Sequence, residues 1–214
     1  MVKFDMHRAH VLHPRSLFTL VCALFAVSLS ACVRGQVVVQ PEASPLASTF
    51  QAWCDSHVPA PYRSRDRVVV RLMDNDAMTA YLRGDSDGRQ THQADTPGDT
   101  DDIDGVFEDG PPRIGLRMPD DGKPDMFTFA HEYGHYVWFH VLSRDDRKRY
   151  EALYNHQRGS HHLVTQYAST SVQEGFAEAF SFYVVQPAIL SHRDPASGAF
   201  FTQFTQTHSG STPS

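Results

Sequence analysis

Cysteine is scarce in this chain, whose 214 residues contain only Cys22, Cys32 and Cys54. The first two belong to an N-terminal segment that has the features of a leader, so Cys54 alone remains for the folded domain. No intramolecular disulfide is therefore expected, and the domain must rely on core packing and on any metal that it binds. Cys54 is either a nucleophile or a buried, inert thiol. We favour the inert thiol, because free cysteine is among the most buried residue types.

Positive charge is also in short supply. The chain has 19 Lys and Arg residues against 25 Asp and Glu residues, for a formal net charge of −6. Three of the basic residues and one of the acidic residues lie within positions 1–31, so 16 basic and 24 acidic residues remain, with a formal net charge of −8. Binding to nucleic acid depends on basic surfaces that displace counterions from phosphates. No nucleic-acid partner is therefore expected.

The apolar run Leu17–Leu29 is too short to be a permanent membrane span, which needs about 20 residues. Three basic residues precede the run, namely Lys3, Arg8 and Arg15, and small residues follow it. A basic start, a short apolar stretch and small residues at its end are typical of a secretory signal. We therefore expect the protein to be exported.

The residues at the end of this leader, Leu29-Ser30-Ala31-Cys32, resemble the bacterial lipobox. The resemblance implies that residues 1–31 are a lipoprotein signal peptide and that Cys32 is lipidated, which would anchor the protein to the membrane of the cell envelope. Val33 follows the cysteine where an aspartate would favour retention, which implies the outer membrane in a Gram-negative cell. The alternative is an ordinary signal peptide with an incidental cysteine.

The remaining chain divides into a tether, a domain and a tail. Residues 32–49 contain Pro and small residues and are predicted to form a tether. Residues 50–205 are predicted to form one folded domain, and residues 206–214 a frayed tail. The β-branched run Arg67–Met73 predicts a strand. A short helix is predicted over Asp76–Leu82.

A turn-rich segment and several helices are predicted further along. Gly105–Glu108 and Arg113–Met118 flank an Asp-Gly-Pro-Pro turn, which predicts either a hairpin or two short strands. Helices are then predicted from Asp125, as N-cap, to about Ser143, from Arg144 onward, and from about Ser171 to Gln186. The sequence thus predicts an α+β domain with a small sheet and a helical C-terminal half.

One of these helices carries the segment His131-Glu132-Tyr133-Gly134-His135. Histidines four residues apart project from the same face of a helix, about one turn from each other. This spacing suits two nitrogen ligands of one tetrahedral zinc ion, with Glu132 beside the metal as a general base. The surrounding residues are strongly apolar, so the three polar side chains need partners if they are buried.

The third ligand is expected from the next helical segment with acidic residues. Glu174 and Glu178 share a helix face, so that one can bind zinc while the other holds a ligand histidine through its second nitrogen. The alternative is an amphipathic helix with two acids that face solvent.

The motifs together resemble the catalytic domain of anthrax lethal factor and the bacterial Pro-Pro endopeptidases. The resemblance rests on HEYGH, on EGFAEAF and on Tyr167, which lies seven residues before Glu174. It implies a zincin-like fold, with His131, His135 and Glu174 as ligands of one catalytic zinc ion. It also implies Glu132 as general base, Tyr167 as the hydroxyl that stabilises the oxyanion, and Glu178 as a partner of a ligand histidine.

These observations predict a monomeric, zinc-dependent endopeptidase that acts on an extended peptide or protein substrate. The hairpin either pairs with that substrate along its edge or has a purely structural role. A non-catalytic zinc-binding envelope lipoprotein is the main alternative, and an envelope adhesin that binds no zinc is another.

Overall fold

The computed structural model describes residues 37–40, 46–63, 66–83 and 103–209. The predicted signal peptide, Cys32 and residues 84–102 lie outside the described part of the chain. Within the described part, four strands and seven α-helices follow one another along the chain: β1 (Val37–Gln40), α1 (Ala47–His57), β2 (Val68–Met73), α2 (Asn75–Leu82), β3 (Gly105–Glu108), β4 (Arg113–Arg117), α3 (Met126–Tyr136), α4 (Arg144–Ser160), α5 (Val172–Val185), α6 (Pro187–Arg193) and α7 (Pro195–His208). The prediction of a small sheet followed by a helical C-terminal half is confirmed.

The four strands form one sheet in the order β1-β2-β4-β3. β1, β2 and β4 are mutually parallel where they pair, and β3 runs antiparallel to β4. The predicted hairpin is confirmed, with Gly105 opposite Leu116 and Glu108 opposite Arg113. β3 therefore lies at one edge of the sheet.

The first strand differs from the sequence prediction, which placed residues 37–40 in a tether. Val37 pairs with Val68 and is 5 % exposed. The physical reason is the run of β-branched valines, which fits a pleated, half-buried surface next to another valine-rich strand. The domain thus starts before residue 50, and α1 begins at Ala47. At the other end, α7 continues to His208 and includes part of the predicted tail.

The two faces of β3 contact different helices. Val106 packs in a small cluster with Met78 and Tyr81 of α2. Phe107 points to the other face, where its ring lies 6.3 Å from that of His135 on α3. This alternation follows from the two-residue period of a strand. Gly105 and Phe107 share the face of β3 that lies against α3, the helix that carries the histidine motif.

α3 begins as predicted but ends earlier. The Asp125 side chain accepts hydrogen bonds from the Phe127 backbone N–H at 2.9 Å and from the Thr128 hydroxyl at 2.8 Å. The helix changes to a π-turn over Val137–Val141 and stops at Leu142. It cannot continue to Ser143, because that residue is the N-cap of α4, as its hydrogen bond with Asp146 shows.

Two helices cross closely at Gly134. A Cβ atom at that position would lie 2.8 Å from Cα and 3.1 Å from the carbonyl oxygen of Ala177 on α5. The glycine allows the backbones of α3 and α5 to approach closely. Around this crossing, aromatic side chains of several helices form much of the buried core, among them Tyr150, Phe176, Phe180 and Phe201. In the described part of the chain, none of the helices is long and apolar enough to cross a membrane.

Candidate metal centre

Three buried side chains with metal-binding atoms converge between α3 and α5. His131 and His135 lie on α3 and Glu174 lies in the first turn of α5, and one potential ligand atom from each lies within 4.8 Å of the others. Oε2 of Glu174 lies 3.0 Å from Nε2 of His131 and 3.4 Å from Nε2 of His135. Ser171 fixes the start of α5, because its hydroxyl accepts a hydrogen bond from the Glu174 backbone N–H at 3.1 Å.

These distances match the requirements of a tetrahedral metal site. Two ligand atoms that each lie 2.0–2.1 Å from zinc at the tetrahedral angle are about 3.3 Å from each other. The two distances from Glu174 fall on either side of this value. Two imidazoles and a carboxylate also form a donor set that is typical of catalytic zinc, since it leaves one position open. The group could therefore hold a metal ion.

Glu178 fixes the orientation of His131. Its Oε2 atom lies 3.1 Å from Nδ1 of His131, one turn along α5 from Glu174. A carboxylate at Nδ1 favours the tautomer that carries its proton there and leaves Nε2 free for a metal. Glu174 thus faces Nε2 of both histidines, whereas Glu178 faces Nδ1 of His131.

The buried groups of the site shift one another's pKa values. Burial disfavours a charged His131, but hydrogen bonds with Glu174 and Glu178 outweigh it and raise the pKa of His131 to about 10. Burial likewise disfavours the Glu174 carboxylate, and the hydrogen bonds from His131 and His135 outweigh it, so the pKa of Glu174 lies well below its ordinary value. A metal ion that enters the site at neutral pH must therefore displace a proton from His131.

Glu132 lies beside this group and faces the start of β3. A Cβ atom on Gly105 would lie only 2.7 Å from Oε1 of Glu132 and 2.7 Å from Cγ2 of Thr128. Gly105 therefore leaves the space that the Glu132 carboxylate occupies. Burial raises the pKa of Glu132, although the neighbouring His131 and His135 oppose the shift. A carboxyl group with a raised pKa is better suited to accept a proton near neutral pH.

Tyr167 reaches the same group from a short 3-10 turn, Tyr167–Ser169. Its ring lies 5.8 Å from that of His131, and 45 % of the residue is exposed. Burial of the hydroxyl, and then the charge and hydrogen bond of Glu174, raise the pKa of Tyr167. The phenol therefore stays neutral near physiological pH and remains a hydrogen-bond donor.

A cavity of about 380 Å³ opens near the N-terminal end of α3. Its lining includes Asp104, Leu116, Asp120, Asp125 and Thr128. Thr128 precedes Glu132 by one helical turn, so the cavity lies close to the proposed general base.

Other candidate residues lie apart from this centre. His140 pairs with Asp109 of the β3–β4 turn, with Nε2 and Oδ1 2.8 Å apart. Cys54 is buried, and burial raises the pKa of its thiol to about 12. The burial predicted for this thiol is confirmed, and its inertness stays a prediction.

The structure brings the six predicted site residues close together, and two residues that the sequence did not indicate, Gly105 and Thr165, contact them. Gly105 was seen only as the start of a strand, and its role depends on the side chain of Glu132. Thr165 was not singled out, although its hydroxyl donates to Oε1 of Glu178 at 2.9 Å. Both roles depend on contacts between residues that are distant in sequence.

Comparisons with known proteins add no relative. No protein-family model matches the chain, and no curated protein matches it either.

Proposed function

We propose that this protein is a zinc-dependent endopeptidase with a zincin-like fold, similar to anthrax lethal factor and the Pro-Pro endopeptidases. The observation that carries the proposal is the buried group of His131, His135 and Glu174 at spacings suited to tetrahedral zinc. Glu132 on the same helix adds what a site that only stores metal would not need, namely a buried base beside the ligands.

The residues of the site have separate roles in the proposed hydrolysis. When zinc is bound, it supplies a Lewis acid that polarises the scissile carbonyl and acidifies water. Glu132 accepts the proton of the attacking water and later delivers it to the leaving amine. The neutral hydroxyl of Tyr167 donates a hydrogen bond to the oxygen on which negative charge develops. Glu178 holds His131 in the orientation that keeps Nε2 available.

The substrate in this proposal is an extended peptide that lies along the edge of the sheet. β3 is an edge strand, and among the described residues its only strand partner is β4. An added strand would gain main-chain hydrogen bonds there, directly beside Glu132. The cavity near Thr128 would then receive one side chain of the peptide.

The proposal includes export and a lipid anchor on Cys32. It rests on the lipobox resemblance, and these residues lie outside the described part of the chain. Metabolic labelling with a palmitate analogue tests it: wild-type protein should be labelled, and a Cys32→Ser variant should not.

The central experiment measures zinc content and peptide cleavage in the same samples. The wild type should contain one zinc per chain and cleave members of a diverse peptide library. Glu132→Gln should retain the zinc and lose nearly all cleavage, because the amide cannot accept the proton. Glu151→Gln, a change at an exposed acid on α4, is the matched control and should behave as the wild type.

The zinc content and the cleavage activity together distinguish the possible functions. One zinc per chain without cleavage by the wild type would favour the alternative of a non-catalytic zinc-binding protein. No zinc would exclude both functions, and full activity in Glu132→Gln would refute the assigned base.

A further inference from the structure

The hydroxyl of Thr165 joins two parts of the candidate site that are otherwise separate. It donates to Oε1 of Glu178 at 2.9 Å and accepts from the backbone N–H of Ala168 at 3.2 Å. The first bond connects Thr165 to His131, because the other oxygen of Glu178 lies 3.1 Å from Nδ1 of His131. The second bond closes the turn that carries Tyr167, which lies between the two bonded residues.

The bond to Glu178 resolves an ambiguity in the orientation of its carboxylate. The last torsion of a glutamate side chain is broad and roughly two-fold, so the side chain alone does not fix which way its oxygens point. Thr165 holds Oε1, and the partner oxygen Oε2 is thereby directed at His131. The hydrogen bond from Thr165 therefore restrains the rotation of this carboxyl group.

The bond from Ala168 acts on the turn in a similar way. The turn Tyr167–Ser169 is also closed by the Thr170 hydroxyl, which donates to the Tyr167 carbonyl at 2.9 Å. Thr165 and Thr170 thus hold the turn from opposite ends, and in the described contacts only Thr165 also reaches Glu178. This difference provides a matched pair of hydroxyl groups.

We propose that Thr165 is a positioning residue that sets the metal affinity of the site through Glu178 and His131, while it holds the turn of Tyr167. The inference rests on the proposed function in that it takes zinc as the metal. Loss of a carboxylate partner of a ligand histidine typically weakens metal binding by about 10- to 100-fold. Thr165 contacts Glu178 and not the histidine itself, so the loss of zinc affinity on its replacement should be smaller.

The test measures the zinc dissociation constant of the full chain by competition with a chelating dye. Thr165→Val should weaken zinc binding by about 3- to 10-fold, since Glu178 loses its restraint. Thr165→Ser retains the hydroxyl and should bind zinc within about 2-fold of the wild type. The control Thr170→Val should leave the affinity unchanged. If Thr165→Val does not fold by circular dichroism, Thr165→Ala tests the same loss with less change in shape.

A double-mutant cycle with Glu178→Ala separates this role from a general effect on the fold. If Thr165 acts through Glu178, Thr165→Val should add less than about 2-fold in the Glu178→Ala background. An equal loss in both backgrounds would overturn the inference, and so would wild-type affinity in Thr165→Val. A wild-type chain that binds no zinc would instead overturn the proposed function, so the two failures are distinguishable.

Discussion

Replacement of Gly134 by alanine tests whether the close crossing of α3 and α5 holds the site together. In an ordinary exposed helix this change stabilises, because alanine is favoured over glycine by about 1 kcal/mol. Here the new methyl group would lie 2.8 Å from Cα and 3.1 Å from the carbonyl oxygen of Ala177. Both are backbone atoms, so no side-chain rotation relieves the overlap and the helices must move apart.

The expected magnitude follows from these opposing effects. Overpacking of a buried contact costs about 1–3 kcal/mol, and a clash with backbone belongs at the upper end. After subtraction of the gain in helix propensity, the free energy of unfolding should fall by about 2 kcal/mol. For a domain of this size, such a loss lowers Tm by about 4–8 °C. Zinc affinity should fall as well, because the crossing sets the distance from Glu174 to His131 and His135.

The assay is urea unfolding of metal-free protein together with chelator competition for zinc. Gly159→Ala is the control, because Gly159 lies on the exposed face of α4 and a Cβ there meets no atom within 4 Å. That variant should be as stable as the wild type or up to about 1 kcal/mol more stable. If Gly134→Ala were equally stabilising, the inferred crossing would be wrong.

Three further results are expected. The pKa of His131 in the folded protein is raised to about 10 from 6.5. Its contribution to the stability of metal-free protein is therefore complete below pH 6.5 and disappears as the pH rises to 10. Urea unfolding across this range should show the decline in stability, and the His131→Gln variant should not show this decline. Gly105→Ala should retain zinc but lose most of the cleavage activity, because the methyl group displaces the Glu132 side chain. If the variant lost zinc to the same extent as it lost cleavage, displacement of Glu132 would not be the cause. Cys54 should resist a thiol reagent in native protein and react after unfolding in urea, whereas fast native labelling would contradict its burial.

Local signals explain why much of the site could be predicted. The spacing of His131 and His135 fixes their common helix face, and Ser171 marks the start of the helix that carries Glu174. These features depend on neighbours within a few residues, so the sequence expresses them directly.

The missed features depend on distant partners. Thr165 matters because Glu178 lies opposite it, and the sequence around Thr165 reads as an ordinary polar loop. The strand at Val37–Gln40 forms because β2 offers a parallel partner, while the nearby Pro and small residues resemble a linker. The early end of α3 follows from the use of Ser143 as the cap of the next helix.

The candidate ligands come from two helices, and Glu174 follows His135 by 39 positions along the chain. A bound ion would join these segments in a domain whose described residues include one cysteine, Cys54. Under the proposed function, free zinc at 100 times the dissociation constant would add about 2.7 kcal/mol of stability. The ion would then act as a reversible cross-link in place of a disulfide. A low zinc concentration would both inactivate the protein and expose the unfolded chain to proteolysis. The amount of the protein would then follow the zinc supply of its compartment.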